Sequence, residues 1–167
     1  MTEINLNIIK TGDIGLCIGT SGLSQTIQKA TDSIYSHTTN FIWIDSKLYV
    51  IEAQAEGVIM LPFETWKRKY NYEFVVFRNP NCLEEKRFRM NAMQYLGVKY
   101  DKKGLAVGLI ASFLKRKDMA EKYRNNGMFW CSELTAKLHQ ILNPEDFSPK
   151  LIGEFSAKNY NFILKTY

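Results

Sequence analysis

The chain has 167 residues, a hydrophobic fraction of 46% and a charged fraction of 23%. It is long and apolar enough to bury a core, and too balanced for a disordered or fibrous chain. A net charge of +5 and three scattered cysteines, Cys17, Cys82 and Cys131, exclude a disulfide framework and leave anionic partners open.

"GDIGLCIG" (12–19) reads as a strand after a turn. "SGLSQTIQKATDSIY" (21–35) reads as a helix capped by Ser21, with Leu23, Ile27, Ala30 and Ile34 on one face. Three strands rich in β-branched and aromatic residues follow, at 38–44, 47–53 and 57–62. "FETWKRKY" is a short helix and "YEFVVF" (72–77) another strand. Beyond Pro80 the pattern turns helical: 83–97 with Leu83, Phe88, Ala92, Tyr95 and Leu96, ended by Gly97, then about 104–115. "RNNG" (124–127) is a loop, and about 131–142 a helix. Ser148-Pro149 caps a further helix, and "NFILKTY" is a last strand. Strands grouped before helices predict an α+β fold with an antiparallel sheet. No repeat or polar linker breaks the chain, so residues 1–167 are expected to be a single domain.

The first 15 residues lack the charged start, apolar core and cleavage site of a signal peptide. The longest apolar run, 105–114, has ten residues, where a membrane-spanning helix needs ~20. A cytoplasmic protein is the expectation. There is no C-x-x-C and no paired histidine spacing, so neither a metal nor any other cofactor is expected. The basic triplets Lys67-Arg68-Lys69 and Lys115-Arg116-Lys117 read first as solvated faces, and no nucleic-acid motif accompanies them. The second triplet follows the apolar run, a pattern that suits an anionic membrane surface.

Asp45-Ser46 sits between two strands as a tight turn. Centred there, residue 44 faces 47, 43 faces 48, 41 faces 50, 39 faces 52 and 37 faces 54. One face then carries His37, Thr39, Phe41, Trp43, Leu48, Val50, Glu52 and Gln54. Its middle is apolar and its open end polar. His37 and Glu52 are diagonal neighbours there, roughly 7–8 Å apart by Cα, with Gln54 opposite His37. A carboxylate beside a histidine fixes its tautomer and stabilises its charged form. A one-residue slip would move Glu52 to the other face.

From Cys131 the apolar positions run Cys131, Leu134, Leu138, Ile141, one face of a helix. Cys131 can be core filling at the head of that stripe. Its place at the helix start, where backbone N–H groups are free and the dipole is positive, favours thiolate over thiol and can hold an oxyanion. His139 lies eight residues on, about 12 Å along the axis. A Cys–His pair must therefore join Cys131 to His37. Cys17 and Cys82 read as packing residues.

"YSHTTNFIWI", "YVIEAQAEGV", "GVKYD" and "FWCSEL", in that order, resemble the circularly permuted branch of the NlpC/P60 papain-like superfamily, the YiiX-like proteins related to lecithin–retinol acyltransferases. The resemblance covers about residues 11–156. It implies a papain-like core with permuted topology, Cys131 as nucleophile, His37 as base and Glu52 as the orienting third residue. It also implies that Tyr100 and Asp101 line the site, where Trp130, Ser132 and Gln54 are further candidates for substrate contact. At 38–40 this chain has Thr-Thr-Asn in place of the family's valine-glycine-isoleucine type of strand. The expected activity is a thiol hydrolase cleaving an amide bond in a peptide or lipid-like small substrate. Acyl transfer, or ligand binding without turnover, are the alternatives.

Overall fold

The computed structural model describes residues 5–114, 128–141 and 148–166. Lys115-Arg116-Lys117 and the 124–127 loop lie outside them. After a 3₁₀ turn at Leu6–Ile8 the elements are β1 (Asp13–Ile18), α1 (Gly22–Thr31), β2 (His37–Ile44), β3 (Lys47–Gln54) and β4 (Gly57–Pro62). Then come α2 (Phe63–Tyr70), β5 (Glu73–Arg78), α3 (Glu85–Gln94), α4 (Lys102–Leu114), α5 (Cys131–Leu138), α6 (Pro149–Asn159) and β6 (Asn161–Lys165). The strands form one six-stranded sheet, β4-β3-β2-β1-β5-β6, and every neighbouring pair is antiparallel.

The β2–β3 hairpin turns on Asp45 and Ser46, both with positive φ (45° and 62°). Two left-handed residues give the turn whose twist matches that of the flanking strands. The register is the expected one: Ile44 pairs with Lys47, Trp43 with Leu48 and Phe41 with Val50.

Alternation along the strands splits the sheet into two covered faces. On one, Cys17, Phe41, Val50, Phe74 and Val76 pack under Phe63 and Trp66 of α2. On the other, Ile42, Ile51 and Ala53 pack against Phe88 and Ala92 of α3 and Leu134 and Leu138 of α5. Beside them Ile14, Leu16 and Val75 meet Ala136 of α5 and Ile152 of α6. Burial on both faces explains why the central strands read as continuous apolar runs.

Helix ends depart from the sequence reading for local reasons. In α1 only Ile27 of the four-residue stripe is buried; Leu23 and Ile34 are 57% and 54% exposed. The helix stops at Thr31 because Asp32 takes a left-handed conformation, φ 49°, so Ile34 lies beyond it. α4 begins two residues earlier than expected, at Lys102, because the Asp101 carboxylate accepts the Gly104 N–H (2.7 Å) and ties down the first turn. α5 ends at Leu138, followed by His139 and a left-handed Gln140 (φ 52°). The 67–69 triplet occupies the last turn of α2, where cations complement the helix dipole. Among the described residues no helix is long and apolar enough to cross a membrane.

Candidate functional site: a cysteine, a histidine and a glutamate at the end of the sheet

Cys131 is the first residue of α5 and is 3% exposed. Trp130 precedes it in an extended conformation, and its N–H donates to the Glu133 carboxylate (3.3 Å), which closes the helix start. α5 lies on the sheet face that carries Thr38, Asn40 and Ile42. Thr135 Oγ1 binds Thr38 Oγ1 (3.0 Å), accepts from Asn40 Nδ2 (3.1 Å) and donates to the carbonyl of Cys131 (3.3 Å). Asn40 Oδ1 in turn binds His139 Nε2 (3.1 Å). This buried polar ladder fixes where the helix sits along β2.

His37 points to the opposite face. It is the first residue of β2, so its ring and the head of α5 meet at the end of the strand, where His37 is the group that most favours the Cys131 thiolate. The backbone N–H groups of Thr38 and Ser132 favour the thiolate as well. His37 Nε2 binds Glu52 Oε2 at 2.8 Å, which leaves Nδ1 for the thiol. Glu52 is 1% exposed and accepts two further hydrogen bonds, from Trp66 Nε1 of α2 (2.9 Å) and from Gln54 Nε2 (2.9 Å). A buried carboxylate without such donors would be strongly disfavoured. Tyr72 stacks on His37, with ring centroids 5.6 Å apart.

The electrostatics follow from this packing. Burial alone disfavours the charged form of each partner. For His37, the negative charges of Cys131 and Glu52 overcome that penalty and raise its pKa to about 10. For Cys131, burial pushes the thiol up, but the charge and hydrogen bond of His37, with the Thr38 and Ser132 N–H groups, bring it below its ordinary value. The other two thiols have no such neighbour. Burial drives Cys17 well up and Cys82 up to about 11.

The remaining sequence candidates take distinct positions. Residues 99–101 run beside the approach to α5: Tyr100 bridges to Phe129, and Asp101 N–H donates to the Phe129 carbonyl (3.1 Å). The Tyr100 hydroxyl is held protonated, first by burial and then by the charge of Cys131. The Asp101 carboxylate is 1% exposed and caps α4. Trp130 and Ser132 flank Cys131 in an open cleft between α1 and α4. Phe129 packs edge-on against Tyr95 in the core (5.2 Å). The sequence reading missed Trp66 and Tyr72. Both lie outside the hairpin, and only their aromatic character hinted at a role.

Among the described residues no group of three or more His, Cys, Asp or Glu side chains is placed to hold a metal ion. His37 Nε2 is committed to Glu52, so this donor set does not suit a metal.

No family model matches the sequence, and no curated protein matches it. Among solved structures, the metalloprotein YiiX from Escherichia coli O157:H7 is similar, with a TM-score of 0.69 and 23% identity over 95% of this chain and 98% of that one. An α+β arrangement around an antiparallel six-stranded sheet, with that overlap, gives this chain a YiiX-like fold.

Proposed function

We propose that this protein is a cysteine hydrolase, an amidase or peptidase with a papain-like active site in the permuted NlpC/P60 order, histidine strand before cysteine helix. The observation that carries the reading is the chain of contacts from the Cys131 sulfur through His37 to Glu52. His37 takes the thiol proton, and the thiolate attacks a carbonyl carbon, forming an S–C bond. The oxyanion develops against backbone N–H groups at the start of α5. The His37 imidazolium gives its proton to the leaving amine or alcohol as the C–N or C–O bond breaks. Water then hydrolyses the acyl-enzyme, or a second acceptor takes the acyl group in a transferase variant of the same cycle. Glu52 orients His37 and stabilises its charged form.

The test is the rate of iodoacetamide labelling of Cys131 against pH. The expected profile is half-maximal below the ordinary thiol value of 9.0 and moves upward in His37→Ala. An ordinary midpoint that His37→Ala leaves in place removes the reading.

A second reading, binding at a lipid surface, is favoured by one feature. α4 presents Ile110, Phe113 and Leu114 to solvent, 49%, 59% and 60% exposed. Liposome co-sedimentation of wild type against Ile110→Ser/Phe113→Ser measures it, and binding that this pair leaves unchanged removes it. The two readings coexist if the substrate is lipid-like.

A further inference from the structure

We propose that Tyr72 is a positioning residue for the proton transfer between Cys131 and His37: its ring, stacked on the imidazole and braced by Tyr70, holds the imidazole plane and favours the cation that forms there. This rests on the cysteine-hydrolase reading above and adds to it a residue outside the Cys131–His37–Glu52 set. The stack starts from a local turn. α2 ends at Tyr70, and Asn71 takes a left-handed conformation (φ 47°), which asparagine tolerates better than most residues. Across that turn the rings of Tyr70 and Tyr72 stack 5.6 Å apart, within 9° of parallel. Tyr72 also stacks on His37, again at 5.6 Å, with the two planes 27° apart. Both separations lie in the range of favourable ring pairs.

Further contacts hold Tyr72 in place. Its carbonyl accepts a hydrogen bond from Lys67 Nζ of α2, and its ring meets that of Trp66 at 5.9 Å. The chain at Gly19 approaches closely too: a Cβ there would stand 3.0 Å from Tyr72 Cε1. A ring packed on this many neighbours has little freedom to tilt, and the imidazole against it shares that restraint. With Nε2 on Glu52 at 2.8 Å and the ring plane held, the direction of Nδ1 is set. The face of an aromatic ring carries the negative part of its quadrupole, so it attracts imidazolium more than imidazole. The phenol itself supplies no charge, because burial pushes its pKa up and keeps it protonated. The titratable groups around His37 are Cys131 of α5, Glu52 of β3 and Cys17, its buried register partner on β1; α2 brings Lys67, held by the Tyr72 carbonyl. A substitution at 72 removes none of these groups, so a change in the His37 titration reports the ring.

Three variants of the full chain grade the effect, each followed by the His37 titration in NMR and by the iodoacetamide midpoint of Cys131. Tyr72→Phe keeps the ring and loses the hydroxyl, and both readings are expected to match wild type. Tyr72→Leu keeps bulk without an aromatic face. Its His37 pKa is expected to fall from about 10 by about 0.5–1, with a rise in the Cys131 midpoint. Tyr70→Leu removes the brace alone and is expected to lie between the two. A purely structural Tyr72 would lower stability in urea without moving either titration, and that result overturns the proposal. An equal shift in Tyr72→Phe and Tyr72→Leu overturns it as well, because the hydroxyl would then be the active group. In both cases the hydrolase reading stands if His37→Ala still raises the Cys131 midpoint. Should Tyr72→Leu fail to fold, Tyr70→Leu decides: a lowered His37 pKa supports the stack, and an unchanged one overturns it. An ordinary wild-type midpoint that His37→Ala leaves in place removes the hydrolase reading and, with it, any proton transfer for Tyr72 to position.

Discussion

His37 and His139 are both buried, 7% and 8% exposed, on opposite faces of the same sheet, yet their protonation is driven in opposite directions. Around His139 the polar neighbours are the amides of Asn40 (3.1 Å) and Asn79 (3.5 Å), which carry no charge, and burial takes its pKa down to about 3. Around His37 the same burial acts, but Cys131 and Glu52 supply negative charge and lift it to about 10. The cysteines divide the same way: Cys17 and Cys82 stay thiols, and Cys131 alone is stabilised as thiolate. Burial therefore sets how much a neighbour's charge matters, and the neighbour sets the sign.

Removing the carboxylate breaks this contrast most severely. Glu52→Gln keeps the shape but replaces the acceptor facing Nε2 with an amide that can present N–H and select the wrong tautomer. A fall in kcat of about 10³–10⁴ is expected. The His37 pKa, read by NMR, should drop from about 10 towards 6.5. Unchanged titration would show that Glu52 plays no electrostatic part. Trp66→Phe tests the same carboxylate more gently: it keeps the packing and removes one of three hydrogen bonds. A stability loss of about 1–2 kcal/mol by urea denaturation is expected, with a smaller downward move of the His37 titration than in Glu52→Gln. A loss without any move would make Trp66 a packing residue only.

The hairpin half of the site was legible because a two-residue turn at Asp45-Ser46 leaves one register, and period-two alternation then places His37, Glu52 and Gln54 together. The head of α5 was legible from the stripe that starts at Cys131. The residues that complete the site were not. Trp66 reaches Glu52 from a helix packed across the sheet, and Tyr72 stacks on His37 from the following loop; no local pattern encodes either contact. In the fold Thr38 and Asn40 face α5 and meet Thr135, 97 and 95 residues away. The α1 stripe misled for the converse reason: Leu23 and Ile34 lie at helical spacing, yet the left-handed Asp32 ends the helix before Ile34.

The two histidines also contribute to stability in separate pH windows. The His139 pKa is lower folded than unfolded, so the unfolded chain binds the extra proton between about 6.5 and 3, and stability is lost as pH falls through that range. The His37 pKa is raised, so its contribution is fully present below 6.5 and is lost as pH rises towards 10. The lowered value of Cys131 offsets part of that loss up to the unfolded thiol's 9.0. Between pH 7 and 4, wild type should lose about 3 kcal/mol more than His139→Gln, measured by urea denaturation at each pH. Parallel curves for the two proteins would mean that His139 is not held neutral by burial.

The smallest effect is expected where the two faces are joined. Thr135 is the common member of the ladder: its hydroxyl meets Thr38, Asn40 and the carbonyl of Cys131. Thr135→Val preserves volume and leaves the Asn40 amide and Thr38 hydroxyl short of a partner, at a cost of about 1 kcal/mol in urea denaturation. None of the lost partners is charged, so the iodoacetamide midpoint of Cys131 should move far less than in His37→Ala, while kcat/KM falls a few-fold as α5 loosens along β2. A midpoint shift as large as that of His37→Ala would mean that the α5 face tunes the thiolate directly. A small shift with reduced stability leaves the division intact: charge is set on the His37 face, and position on the His139 face.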